Sequence, residues 1–419
     1  MKLRVAPGEL PARVKLELFC RGLRLSPGVL RRGEFRDVAR TRGGLGSGLD
    51  LVLPDHLWVN APVVEPFARR SPLELAAGER DGEYWILRDG RPVVQVAPAP
   101  RPRFYDRTTS TGVPMKQVGV LQGGYVAFFP GAACRFWDWG VNCRFCSTGL
   151  NLGATERAHK TVEEVVEVAL AAFDEGLASF VHLNVGFVPA PDRGVKALLP
   201  YVEALKRETD AMVLLQCNPP ETNEWADEAY AAGADSMSSN LEFYHPQYFR
   251  RYCPGKAKHV TRERFFEWLE YLPDVFPAGG AAGEIIVGVE PVECSVAAVR
   301  RIAAAGAHPV VCAFRPLVGT PMEDHPPPKL EDLERVMLAA HDACRKRGVK
   351  MNAVDRVSIV MLAHEARLLR PDHRDSTRER VANAFARTKL GKKLFKKLVL
   401  DRRRARYLRE RARVAPRPA

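Results

Sequence analysis

GYVAFFPGAACRFWDWGVNCRFC, residues 124–146, joins an apolar run to a loop that holds three of the nine cysteines in a 419-residue chain. Residues 124–130 read as a short buried strand, rich in aromatic residues and stopped by proline. Cys143 and Cys146 form a C-x2-C pair, and Cys134 stands before them with eight residues between. Three thiolates can hold zinc, hold an iron–sulfur cluster, exchange disulfides or pack inertly. Structural zinc sites close four ligands, often as two paired knuckles. This loop has no histidine, and the chain has no second C-x2-C. A cubane cluster with three protein ligands leaves one iron open to a small molecule, which suits three cysteines without a fourth.

Downstream of the loop, apolar runs alternate with helical patterns. The helix over 162–174 has Thr161 as its expected N-cap and acids in its first turn. The runs SFVHLNVGF, AMVLLQC, ADSMSSNLE, GEIIVGVE and HPVVCAFRPL then alternate with helical stretches, ending at LEDLERVMLAAHDACRKRG. With residues 124–130 this makes six strand-like runs and six helices. The expected fold class is α/β, a partial TIM-type (β/α)6 barrel over residues 116–330.

Two additions flank it. Residues 1–115 carry short strand-like runs broken by Gly and Pro, with RDGR at 88–91 as a hairpin turn, and read as a β-rich or α+β extension. Residues 331–419 read as helical and end in a basic tail. Of the formal charge of +13, residues 387–413 supply +11, so the basicity belongs to that tail. Leu390, Leu394 and Leu398 recur at i, i+4. They suggest either a helix docked on the barrel through its leucines or a surface for RNA or another polyanion. Aromatic residues in the tail are few (Phe395, Tyr407), which does not favour base stacking.

No apolar run approaches the roughly 18 residues of a membrane span. The first residues show no secretory pattern, and nine scattered cysteines argue against a disulfide framework. The expectation is a cytoplasmic protein.

The cysteine stretch resembles the cluster loop of the radical S-adenosylmethionine (SAM) superfamily, in particular its biotin-synthase-like group. In that family the last pair of cysteines encloses an aromatic residue, here Phe145. The usual spacing is C-x3-C-x2-C, so this loop departs from it by an insertion. Other stretches follow in the family's order. LNVGFVP stands at the end of the second strand, where the family's backbone holds the SAM amino group, so Val185, Gly186 and Phe187 match by position, without the usual Gly-Gly-Glu. SSNLEFYHPQYF resembles the fourth-strand pattern in which Asn240 and Glu242 would bond the SAM ribose. EIIVGVEP matches the fifth-strand signature, which sets Ile286 and Gly288 against the adenine, with Glu290 one residue early. HPVVCAFRPLVGTP resembles the sixth-strand region, with Arg315 as its cationic member. The likeness covers roughly residues 120–330.

The resemblance implies a [4Fe–4S] cluster on Cys134, Cys143 and Cys146, with SAM on the open iron. It also implies an external electron donor of flavodoxin or ferredoxin type. SAM would be cleaved reductively to a 5′-deoxyadenosyl radical. That radical would abstract hydrogen from a small-molecule substrate in biosynthesis or cofactor maturation. Cys217, at the end of the third strand, is a candidate radical or hydrogen relay, with an inert buried thiol as its alternative. Radical methylation of RNA, served by the tail, is a second functional reading. A metal-stabilised binding module without catalysis is a third.

Overall fold

The six apolar runs fold as six parallel strands: β1 (Tyr125–Phe128), β2 (Phe180–Asn184), β3 (Met212–Gln216), β4 (Ser236–Glu242), β5 (Ala281–Val287) and β6 (His308–Ala313). They pair in chain order, and Gly119–Leu121 adds an antiparallel edge to β1. The computed structural model describes residues 3–32, 35, 39–40, 47–131, 133–209, 211–351, 356–374 and 376–414. Helices α1 (Val162–Asp174), α2 (Val195–Glu208), α3 (Glu224–Ala232), α4 (Arg262–Val275), α5 (Val292–Ala304) and α6 (Leu330–Arg347) alternate with the strands. Thr161 caps α1 as expected, and Glu164 returns the bond to the Thr161 N–H.

The sheet is curled. Side chains from all six strands, among them Tyr125, His182, Leu214, Ser238, Glu284 and Val310, line one interior cavity. Sequential parallel strands wrapped around a common interior make the fold a (β/α)6 partial barrel. The sheet leaves a gap between the Gly119–Leu121 edge beside β1 and β6, and residues 357–361 cross it. Val357 bridges to Gly123 beside β1, and Met361 bridges to Val311 of β6.

Residues 24–98 form a seven-stranded sheet, mostly antiparallel, whose hairpin turns at Asp89-Gly90 as the RDGR stretch suggested. This sheet and the helix Pro11–Arg21 before it brace the closing segment. The Lys15 ammonium, wholly buried, donates to Glu365 at 2.8 Å and to the Val357 carbonyl at 3.2 Å. The Asn60 N–H donates to the Ser358 carbonyl at 2.7 Å.

The basic C-terminal region is helical over Thr377–Arg387, Lys389–Phe395, Lys396–Asp401 and Arg402–Val414. It does not dock through the periodic leucines. Arg404 bonds Asp235 at 2.8 Å, Arg411 bonds Glu228 at 2.6 Å, Tyr407 bonds Asp227, and Leu400 is the buried apolar anchor. The carboxylates around α3 recruit the arginines, and Leu390, Leu394 and Leu398 are left facing outward. Among the described residues no helix is long and apolar enough to cross a membrane.

Candidate functional site

The cysteine loop leaves β1 and is tied to the end of β2. Cys134 precedes the short helix Arg135–Asp138. The Phe187 N–H donates to Cys134 Sγ at 3.3 Å, and the Arg135 N–H donates to the Phe187 carbonyl at 3.0 Å. Between them lies Gly186. A Cβ there would stand 2.6 Å from the Cys134 Cβ and 2.9 Å from the Ala133 carbonyl, closer than real contacts allow. Only glycine permits this approach. The inserted aromatic residues complete the tie: Phe136 stacks on Phe187 with centroids 4.1 Å apart, and Trp139 leans on Phe187 and His259. Trp137 lies against Gly149.

The other two cysteines are held from the β4 side. The Arg144 N–H donates to the Tyr252 carbonyl, and the Gly255 N–H to the Val141 carbonyl, both at 2.9 Å. Cys146 Sγ lies 3.1 Å from the Thr148 hydroxyl and accepts its N–H at 3.4 Å. The three thiols lie near enough to shift one another's ionisation. Burial pushes Cys146 up to about 12 and raises Cys134, each further raised by the Cys143 charge. Cys143 is lowered, first by a hydrogen bond from Cys253 and then, against burial, by the Lys256 ammonium. A cation bound here would displace protons from Cys134 and Cys146. Among the described residues no three His, Cys, Asp or Glu side chains converge on a single-ion site. The donor set of three thiols with N–H bonds to two of the sulfurs, and the glycine cradle under Cys134, fit a larger group such as a cluster.

Below the loop, four polar side chains form a belt across the barrel interior. Asn184 Nδ2 donates to Gln216 Oε1 at 2.6 Å, and Gln216 Nε2 to Asn240 Oδ1 at 2.7 Å. Asn240 Nδ2 donates to Glu284 Oε1 at 2.9 Å. Burial, reinforced by the charge of Glu242, pushes the Glu284 carboxyl up to about 8. Glu242 itself turns away from the belt. β4 shifts register between Asn240 and Glu242, and Glu242 has φ 70°, so its carboxylate meets the buried Lys256 at 2.6 Å. Lys256 also donates to the Asn240 carbonyl at 2.7 Å.

The belt roofs a chamber of about 140 Å³. Its walls are mostly apolar (Ala127, Leu214, Val310, Ile359, Leu362), with the rings of Tyr125, His182 and His308 among them. Burial lowers both imidazoles to about 4, so both are neutral at neutral pH. His182 Nε2, His308 Nδ1 and Gln122 Nε2 are buried without a hydrogen-bond partner.

The remaining sequence candidates are dispersed. Phe145, Ile286 and Arg315 line a smaller cavity of about 30 Å³ beside Cys312. Arg315 donates to Asn60 Oδ1 at 3.1 Å and to its carbonyl at 2.9 Å, so it fastens the N-terminal sheet. Gly288 has φ 111°, and a Cβ there would stand 2.7 Å from Pro328 Cβ, so Pro328 explains its need for glycine. Glu290 accepts the Tyr244 and His245 N–H groups and shapes the turn after β4. Cys217 is buried, lines neither cavity, and has its thiol pushed up to about 12 by burial. Sequence reasoning passed over Lys256 and the belt residues Asn184, Gln216 and Glu284, and counted Cys253 only among the scattered cysteines. The belt had a partial signal: Gln216 ends MVLLQ and Glu284 interrupts AAGEIIV, each the one polar side chain of an otherwise apolar strand.

No family model matches the chain. It is 26% identical over 218 residues to bacteriochlorophyllide c C-7(1)-hydroxylase of Chlorobaculum limnaeum, which covers 48% of this chain and 54% of that protein. The chain thus spans about half the length of that curated relative. Among solved structures it is similar to methylornithine synthase (PylB), at 15% identity and TM-score 0.41, over 63% of this chain and 81% of that one. It is also similar to coproporphyrinogen III oxidase (HemN) from Escherichia coli, a radical SAM enzyme, at 14% identity and TM-score 0.37, over 63% and 58%.

Proposed function

We propose that this chain is a radical SAM enzyme that acts on a small molecule with a neutral, largely apolar moiety. The observation that carries the reading is the junction of Cys134 with Gly186 and Phe187. Its cysteine loop is seated on the backbone that follows β2, the place the family motif order requires.

Cys134, Cys143 and Cys146 would hold a [4Fe–4S] cluster, and the Phe187 N–H would stay on the Cys134 sulfur. With SAM bound and an external one-electron donor, such a cluster would supply radical hydrogen-abstraction chemistry. This chain's residues position and shield. Asn240, in the belt between loop and chamber, offers an amide to a polar group at the barrel mouth. The Lys256–Glu242 pair keeps the wall beneath Cys143 closed to water by satisfying both charges internally. Below the belt, the mostly apolar walls limit access of water, and the Tyr125 hydroxyl is held on Gln122 Oε1 at 2.6 Å.

The chamber supports this substrate class. About 140 Å³ matches a small ring or a branched aliphatic group. Neutral imidazoles and the Gln122 amide offer hydrogen bonds to a ligand, beside the Glu284 carboxyl and the Lys350 ammonium in the lining. A bacteriochlorophyllide is far larger than this space, so the relative's hydroxylation is not carried over. Cys217 has no part in this reading, because it does not reach the chamber.

The test is anaerobic reconstitution with iron and sulfide, then incubation with SAM and dithionite. The wild type should show absorbance near roughly 400 nm and release 5′-deoxyadenosine. The Cys134→Ala, Cys143→Ala, Cys146→Ala triple variant should lose both. A triple variant that keeps the absorbance refutes the ligand assignment.

A further inference from the structure

The C-terminal helices carry an apolar face that the barrel does not use. Val381 and Phe385 lie four residues apart on Thr377–Arg387, and beyond the helix break at Thr388 Leu390, Leu394 and Leu398 repeat that spacing. Val381 is 65% exposed, Leu390 59% and Leu398 46%. Five large apolar side chains in one short, solvent-facing stretch are far from the scattered exposure of an ordinary surface. The same segments are cationic. Arg380, Lys393, Lys397, Arg402 and Arg406 are exposed around the stripe, and residues 377–414 carry only three acids. Arg404, Tyr407 and Arg411 are engaged with the α3 region, so docking fixes the last helix by its polar side.

An apolar stripe rimmed by lysine and arginine matches one partner chemistry: a bilayer surface with anionic headgroups and accessible acyl chains. RNA would pair with the cations but has no use for leucines. The aromatic residues that single-stranded nucleic acid would stack on are scarce here, with Tyr407 already tied to Asp227. We propose that residues 377–401 lie in the interfacial plane of an anionic membrane, leucines inward and lysines at the headgroups, and hold the barrel at the bilayer surface. This anchoring is independent of the reaction proposed above.

Vesicle flotation of the full chain tests it. Vesicles of phosphatidylcholine with roughly one-third phosphatidylglycerol should carry the protein, and phosphatidylcholine alone should carry at least about tenfold less. The triple variant Leu390→Gln, Leu394→Gln, Leu398→Gln should bind the anionic vesicles at least about tenfold more weakly while melting like the wild type, because those side chains are exposed. Lys393→Gln with Lys397→Gln should weaken binding and flatten its salt dependence. Unchanged binding by the leucine variant overturns the proposal, as does equal binding to neutral vesicles. Salt-sensitive binding to a mixed-sequence RNA oligonucleotide without vesicle binding also overturns it.

Discussion

Lys256 and Glu242 meet 2.6 Å apart with their side chains only 10% and 7% exposed, at the point where β4 shifts register. Neither charge has bulk water to fall back on. Lys256→Met should therefore cost about 3–5 kcal/mol, because it strands a buried carboxylate. The double variant Lys256→Met, Glu242→Leu should recover most of that loss. Urea unfolding of the two variants checks it. A double variant as unstable as the single one would show that the pair is not the source of the cost.

Glu284 makes stability depend on pH. Its carboxyl is pushed from 4.5 to about 8, mainly by burial. Folding thus favours the protonated form, and that contribution is complete below about pH 4.5 and lost as pH rises through about 8. Relative to Glu284→Gln, the wild type should lose stability steadily across this window. Unfolding midpoints measured at several pH values decide the matter, and parallel profiles would exclude Glu284 as the titrating group.

Gly186→Ala should disturb the cysteine loop while sparing the barrel. The added methyl meets the Cys134 Cβ at 2.6 Å, so loop and strand end must part. Iron bound after anaerobic reconstitution should fall several-fold, while the far-ultraviolet circular dichroism stays as in the wild type. Full iron loading in the variant would contradict this account of the junction.

Lys15→Ala should loosen the wall between β1 and β6. It leaves Glu365 buried and unpaired and removes a donor from the Val357 carbonyl, a loss of about 3–5 kcal/mol. Hydrogen exchange should rise at residues 357–365 before it rises in β2 to β5. Uniform exchange across the barrel would mean that the brace has no local role.

The barrel was legible in the sequence because each strand is a short apolar run bracketed by helical periodicity. That pattern depends on neighbours a few residues away. The belt was not legible, because its unity comes from register: Asn184 lies opposite Gln216, and Asn240 opposite Glu284. Glu242 was set with Asn240 through the resemblance to the family's fourth-strand pattern; on a regular strand alternate residues would share a face. The bulge breaks that rule, and a shift of one residue cannot be seen in a composition. Periodic leucines in the tail pointed to docking, yet the carboxylates of α3 won the contact through arginines. The partner of the aromatic insertion, Phe187, depended on the close approach at Gly186.

The seam across the barrel gap also has a consequence for biosynthesis. Lys15 and Glu365 are separated by 350 residues of chain, so their contact is among the last that translation can supply. Until Met361 and Glu365 have left the ribosome, β1 to β6 stand as an open trough with the cysteine loop at one rim. Chains arrested before residue 357 should persist in this open form and offer quality-control proteases an unsealed apolar channel.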